Sequence, residues 1–253
     1  MSAVPPATYL ETPQGRRIAY HKTEGAGPTV VFLSGLKSDM EGTKAVHLEA
    51  WAKAQGRAFL RFDYSGHGES SGQFEEGCIG DWHEDTVAAV QALTTGAIIP
   101  VGSSMGGWQA LLLGRALPAR IAGMVTIAAA PDFTEDGYWA NFTDAQKAEL
   151  QTKGRVELPS DYMEPYVVTQ RMVENGRENL VLRSELALPF PVRCLQGTDD
   201  SAVSTETALR LLDHAQCDDM RLTLVKDADH RFSDPRCLAL IEQALEEVLA
   251  LAA

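Results

Sequence analysis

An apolar run, Ala97-Ile98-Ile99-Pro100-Val101, ends in Gly102-Ser103-Ser104-Met105-Gly106-Gly107. A helical pattern follows at Trp108, Leu111, Leu112, Arg115 and Ala116. The order reads strand, tight turn, helix. Gly-x-Ser-x-Gly in that setting predicts a sharp elbow that lifts the Ser104 hydroxyl above a sheet edge. Side chains at Gly102 and Gly106 would collide as strand and helix approach each other. The same turn aims the Met105 N–H, at a helix start, toward any negative charge that forms beside the serine.

The rest of the chain repeats the strand-helix order. Thr29 to Leu33 is a β-branched, apolar run without alternation, as a strand covered on both faces requires, and Ala58 to Asp63, Ile98 to Val101 and Ile121 to Ala128 are read as further strands. Helical patterns at Thr43–Gln55, Ile79–Leu93 and the elbow helix lie between them. Crossovers of this kind predict a mostly parallel, doubly covered sheet, preceded by a hairpin over Tyr9–Tyr20. Ligands of such sheets bind beyond the carboxyl ends of the strands. The rhythm breaks from Asp132 to Pro189, a stretch too long for a structureless loop. Helical patches at Asp144–Thr152 and Tyr162–Asn175, with no strong buried strand, predict a small helical insertion over that edge. The rhythm then resumes with a strand at Val192–Gln196, a helix at Thr205–Ala215, an edge strand at Met220–Val225 and a closing helix at Pro235–Leu251.

At 253 residues with 45% hydrophobic and 23% charged side chains, the chain has the composition of one soluble domain with a large core. A net charge of -13 opposes nucleic acid and anionic membranes as partners. Cys78, Cys194, Cys217 and Cys237 form no Cys-x-x-Cys pair and no zinc spacing. They read as core thiols of a reducing compartment. Met1 to Thr8 shows neither the basic nor the apolar run of a leader, and a cytoplasmic protein is expected.

A serine hydroxyl attacks a carbonyl only when a base takes its proton. Among six histidines, His230 follows the last strand by a short loop, which places it at the carboxyl edge beside Ser104. His67, in the glycine- and serine-rich loop after Asp63, competes for that role. The loop itself lacks a Walker lysine and the dinucleotide fingerprint, so it reads as a turn bonded to its own backbone. The acid is expected after the preceding strand, where Asp199 and Asp200 are candidates. Glycine, two residues, aspartate is the usual spacing and selects Asp200 as the group that orients the imidazole. Asp227 and Asp229 are read as loop caps. The oxyanion donors expected are the backbone N–H groups of Met105 and of Leu36, in the loop after the first buried strand.

The order Ser, Asp, His and the whole run of elements resemble the α/β-hydrolase superfamily. Arg61-Phe62-Asp63-Tyr64-Ser65-Gly66, the elbow, Lys153-Gly154, Leu158-Pro159-Ser160 with Tyr162, and Asp229-His230-Arg231 narrow the likeness. Together they resemble the mitochondrial acyl-protein thioesterases that also act as acyl-glucuronide esterases. Ser34 stands where the superfamily often has histidine, and Ser204 where it often has proline. The resemblance implies an α/β-hydrolase core over residues 1–131 and 190–253 and a helical cap over 132–189. It also implies hydrolysis of acyl esters or thioesters through Ser104, Asp200 and His230, with no cofactor and no metal.

The substrate expected is a small acyl ester or thioester, or an acylated protein, with no membrane span. Trp139, Tyr162 and Tyr166, with Met163, Val167 and Leu186, are candidates for an acyl pocket; packing of the insertion explains them equally well. Arg155, Arg171 and Arg183 are read as surface arginines, with a substrate carboxylate as the alternative. Carbon–carbon bond hydrolysis and perhydrolysis use the same triad and stay open. A ligand-binding protein without turnover is a further reading, and a serine-directed probe separates it.

Overall fold

The computed structural model describes residues 6–158 and 166–252. Eight strands form one sheet in the order β1-β2-β4-β3-β5-β6-β9-β10. They are β1 (Thr8–Glu11), β2 (Arg17–Thr23), β3 (Ala26–Leu33), β4 (Arg57–Phe62), β5 (Ile98–Ser103), β6 (Met124–Ile127), β9 (Val192–Gly197) and β10 (Met220–Val225). β1 and β2 form the expected antiparallel hairpin, and β2 pairs antiparallel with β4. Every later pairing, from β4–β3 to β9–β10, is parallel.

The strands send successive side chains to opposite faces, and the core divides accordingly. Val31 and Leu33 of β3 pack with α2 (Ile79–Leu93) and α3 (Met105–Ala116), while Val30 and Phe32 pack with α1 (Thr43–Ala54) and α7 (Pro235–Leu251). Both faces are covered and mostly apolar, which explains the missing alternation in the central strands. A fully buried Leu, Val or Phe side chain contributes about 1.5–3 kcal/mol, so the two layers fix the sheet firmly. The result is the α/β-hydrolase fold. It places the loops after β3, β5, β9 and β10 along one sheet edge.

Between β6 and β9 lies a one-turn π-helix (Thr134–Trp139), then α4 (Asp144–Lys153), β7 (Arg155–Leu158), β8 (Tyr166–Thr169) and α5 (Gln170–Glu178). The segment expected to be wholly helical therefore also carries an antiparallel pair, β7 with β8. The helix expected from Tyr162 begins instead at Gln170, where the Thr169 hydroxyl accepts the Met172 N–H at 3.1 Å as its N-cap. Tyr166-Val167-Val168-Thr169 is β-branched and aromatic, and it pairs rather than coils. Buried Asp132 pins the far end of this segment by accepting the N–H groups of Val181 and Leu182 at 2.8 and 3.1 Å. α6 (Thr205–His214) lies between β9 and β10. Among the described residues no helix is long and apolar enough to cross a membrane.

Candidate active site

Ser104 sits between β5 and α3 with φ 56° and ψ −119°. A side chain held there stores on the order of 1–3 kcal/mol, which the surroundings must over-determine. They do so through three backbone bonds: Ser104 N–H to Ile127 O at 2.9 Å, Gly107 N–H to Ser104 O at 2.9 Å and Ala130 N–H to Ser104 O at 3.0 Å. A Cβ on Gly102 would lie 2.1 Å from Gly106 O, the strand–helix collision expected from the sequence. Gly106 is required for a different contact: its Cβ would lie 2.0 Å from Leu33 O, on the neighbouring strand.

The structure brings the three expected side chains together. Ser104 Oγ stands 3.1 Å from His230 Nε2, and His230 Nδ1 stands 2.9 Å from Asp200 Oδ2. An ionised carboxylate only accepts, so Nδ1 carries the proton and Nε2 is free to take one from the serine. Burial alone would raise the pKa of Asp200. Hydrogen bonds from His230 and from the Val203 and Ala202 N–H groups outweigh it and hold the carboxyl below its ordinary value. Asp199, the alternative acid, is exposed. Asp229 accepts the Phe232 N–H at 3.0 Å and so caps its own loop.

Sequence reasoning missed Gln196. Its side chain is almost wholly buried, and Nε2 donates to Asp200 Oδ2 and to Val203 O, each at 3.0 Å. Asp200 is thus held by four donors: His230 and Gln196 on Oδ2, Ala202 N–H and Val203 N–H on Oδ1. The available signal was a polar residue inside an otherwise buried strand.

Leu36 and Met105 line the same cavity as Ser104 and His230, where their backbone N–H groups are expected. Gly35 lets that loop close on the serine, since a Cβ there would already be 3.3 Å from Ser104 Cβ. His67 does not reach Ser104. It is 4% exposed and accepts the Lys37 N–H on Nε2 at 3.2 Å. The loop around it is bonded to its own backbone, as expected: Asp63 accepts the Glu69 N–H and Ser70 Oγ donates to Asp63 O.

The cavity measures about 750 Å³. The inserted segment contributes Phe133, Tyr138, Leu158 and Tyr166; the loop after β3 contributes Ser38, the first turn of α1 contributes Lys44, and the loop after β10 contributes Arg231 and Ser233. Burial lowers Lys44 to about 8, and its ammonium donates to Arg231 O. Of the three aromatics expected to meet substrate, Tyr166 lines the cavity and Tyr162 lies outside the described residues, as does Met163. Trp139 is a correction. Its ring lies under Arg177 Cζ at 4.6 Å and Lys147 Nζ at 5.4 Å, away from the cavity lining. In the π-helix Tyr138, not its neighbour, takes the inward position. Leu186 is also a core residue rather than a pocket one. Arg155, Arg171 and Arg183 pair with Glu75, Asp81 and Asp132, none of them at the cavity.

A family model, Alpha/beta hydrolase family, matches residues 30–251. The chain belongs to that family. Within it, the chain is closely related to the ABHD10 palmitoyl-protein thioesterases. It is 32% identical over 244 residues to the mitochondrial palmitoyl-protein thioesterase ABHD10 of Homo sapiens, covering 96% of this chain and 79% of that one. Among solved structures, a putative hydrolase from Agrobacterium vitis S4 superposes with TM-score 0.93 at 39% identity, covering 96% and 98% of the two chains. Mouse alpha/beta hydrolase domain-containing protein 10 superposes with TM-score 0.91 at 28% identity, covering 98% and 100%. The ABHD10 relatives are mitochondrial by name, which overturns the cytoplasmic expectation. The cysteine pattern on which that expectation rested does not distinguish one reducing compartment from another.

Proposed function

We propose that this hydrolase cleaves acyl esters or thioesters through an acyl-enzyme on Ser104. The observation that carries the reading is the continuous chain Ser104–His230–Asp200, at 3.1 and 2.9 Å, ending in a serine held at positive φ. Ser104 Oγ attacks the acyl carbonyl while His230 Nε2 takes its proton. The Met105 and Leu36 N–H groups receive the charge on the carbonyl oxygen. His230 then protonates the departing alcohol or thiol, and the acyl group stays on Ser104. Water, deprotonated by the same imidazole, releases the acid and restores the serine. Asp200 keeps its charge throughout and stabilises the imidazolium.

Residues 132–189 serve as a cap in this reading, with Phe133, Tyr138, Leu158 and Tyr166 against the acyl chain. The palmitoyl-protein thioesterase name of the relatives favours a long acyl group and a thioester. Replacement Ser104→Ala should lower kcat on p-nitrophenyl octanoate and on an octanoyl thioester by as much as about a millionfold, because the three groups act as a unit. A fluorophosphonate should label Ser104 of the wild type. Retained turnover in the variant would refute the serine mechanism, and an unlabelled wild-type serine would favour a binding protein.

A further inference from the structure

His67 is a buried titratable group that the proposed reaction does not use. Its surroundings determine its protonation state without reference to activity. Nδ1 lies 3.2 Å from Ser65 O, which only accepts, so Nδ1 carries hydrogen. Nε2 lies 3.2 Å from the Lys37 backbone N–H, which only donates, so Nε2 is bare. The ring is edge-on to Tyr64, Phe74 and Trp82, with centroids 5.2–5.6 Å away, and has one orientation. Burial pushes the imidazole down to about 4, although Ser65 O and Asp39 pull the other way.

The bond to Lys37 falls on a turn. Ser38 N–H reaches Gly35 O at 3.1 Å, and Lys37 at the third position has φ 56°. Positive φ there is the type II pattern, which favours glycine. Types I and II differ by a flip of the peptide between the second and third residues, here Leu36–Lys37. Flipping it would turn the Lys37 N–H away from His67 and present the Leu36 carbonyl to a bare nitrogen. The acceptor on His67 therefore selects the strained form. Other bonds fasten the loop further out, Tyr64 Oη to Ser34 O at 3.3 Å and Met40 N–H to Asp63 Oδ1 at 2.6 Å. His67 acts on the turn itself, next to the peptide that carries the Leu36 N–H.

We propose that His67 is a positioning residue: its bare Nε2 holds the Gly35–Ser38 turn in the form that aims the Leu36 N–H at the oxyanion. The inference rests on the acyl-hydrolase reading for its kinetic consequence and on geometry alone for the tautomer. The effect belongs to the transition state, so kcat should fall while KM stays.

The test compares His67→Phe, which keeps a ring but has no acceptor, with His67→Gln, whose Oε1 still accepts from Lys37. His67→Phe should lose about 10- to 100-fold in kcat on p-nitrophenyl octanoate, a part of what one oxyanion donor supplies, with KM within twofold. His67→Gln should recover most of that loss. Equal losses in both variants, or none in folded His67→Phe, would overturn the proposal. Nitrogen NMR of the imidazoles in the wild type gives a readout that needs neither variant to fold: His67 should show a protonated Nδ1 and a bare Nε2. A protonated Nε2 would overturn the proposal. Fluorophosphonate labelling of Ser104 in the same wild-type sample separates failure of this inference from failure of the serine mechanism.

Discussion

Asp200 Oδ2 and His230 Nδ1 meet at 2.9 Å, and the same carboxylate accepts two N–H groups of its own turn on the opposite oxygen, from Ala202 at 2.9 Å and Val203 at 2.8 Å. The two oxygens therefore have separate duties. Oδ1 fastens the carboxylate to the loop after β9, and Oδ2 faces the imidazole. Because the loop fixes the carboxylate first, the imidazole has to adapt to it.

That division predicts the result of Asp200→Asn. The two backbone donors demand an oxygen, so the new amide oxygen should take the Oδ1 position. Its NH2 then faces His230 and imposes the tautomer with hydrogen on Nε2, which cannot accept from Ser104. The NH2 also opposes Gln196 Nε2, a donor. We expect kcat on p-nitrophenyl octanoate to fall by about 10⁴-fold with the fold intact by circular dichroism. A loss under tenfold would show that Asp200 does not set the tautomer.

The inserted segment gives a prediction about chain length. Tyr166 lines the cavity, whereas Trp139 is stacked against Arg177 and Lys147 outside it. Octanoyl esters should be hydrolysed faster than acetyl esters by the wild type. Tyr166→Ala should reduce that preference, by about 1–2 kcal/mol in kcat/KM, the scale of the apolar contact removed. Trp139→Ala should leave the ratio unchanged. A rate that declines steadily from acetyl to octanoyl in the wild type would remove the acyl role of this wall.

How much of this was legible in the sequence follows from which interactions are local. The elbow was legible because Gly102 and Gly106 are answers to backbone contacts, and no other residue fits them. Ser104, Asp200 and His230 were readable as candidates because each follows a recognisable strand by a short loop, and parallel strands bring their carboxyl ends to one edge. Tyr138 and Trp139 were not separable, since they are adjacent aromatics in a stretch where no regular element was expected, and a short π-helix leaves no periodicity to say which of them turns inward. The β7–β8 pair was missed because two four-residue strands carry little periodicity. Gln196 and His67 matter through side-chain hydrogen bonds to particular groups, Asp200 four positions away and the Lys37 N–H thirty positions away; residue type marks Gln196 as a polar group in a buried strand but does not name its partner.

The last prediction concerns acid stability and isolates His67. Burial lowers its folded pKa from 6.5 to about 4; the titratable groups near it are Asp39, just beyond the turn, and Tyr64 on its own loop, while Lys37 meets it through the backbone N–H and carries its ammonium over Phe74 and Tyr166. In the unfolded chain the imidazole takes a proton once the pH drops below 6.5, while in the folded protein it stays neutral down to about 4. Unfolding therefore takes up a proton inside that window, so stability falls as the pH falls through it, by about 1.4 kcal/mol per pH unit for one whole proton. Half-buried His83, also lowered to about 4 by desolvation, adds to the same slope, and Asp200, lowered from its ordinary value, extends it to lower pH. Asp63 and Asp85, which burial raises, act in the opposite sense. Only the difference between proteins assigns the His67 share. Urea unfolding of wild type and His67→Gln between pH 4 and 6.5 should show a shallower slope in the variant, by up to one proton. Equal slopes would mean that His67 takes up its proton without opening the fold, and that the buried, neutral imidazole described above is wrong.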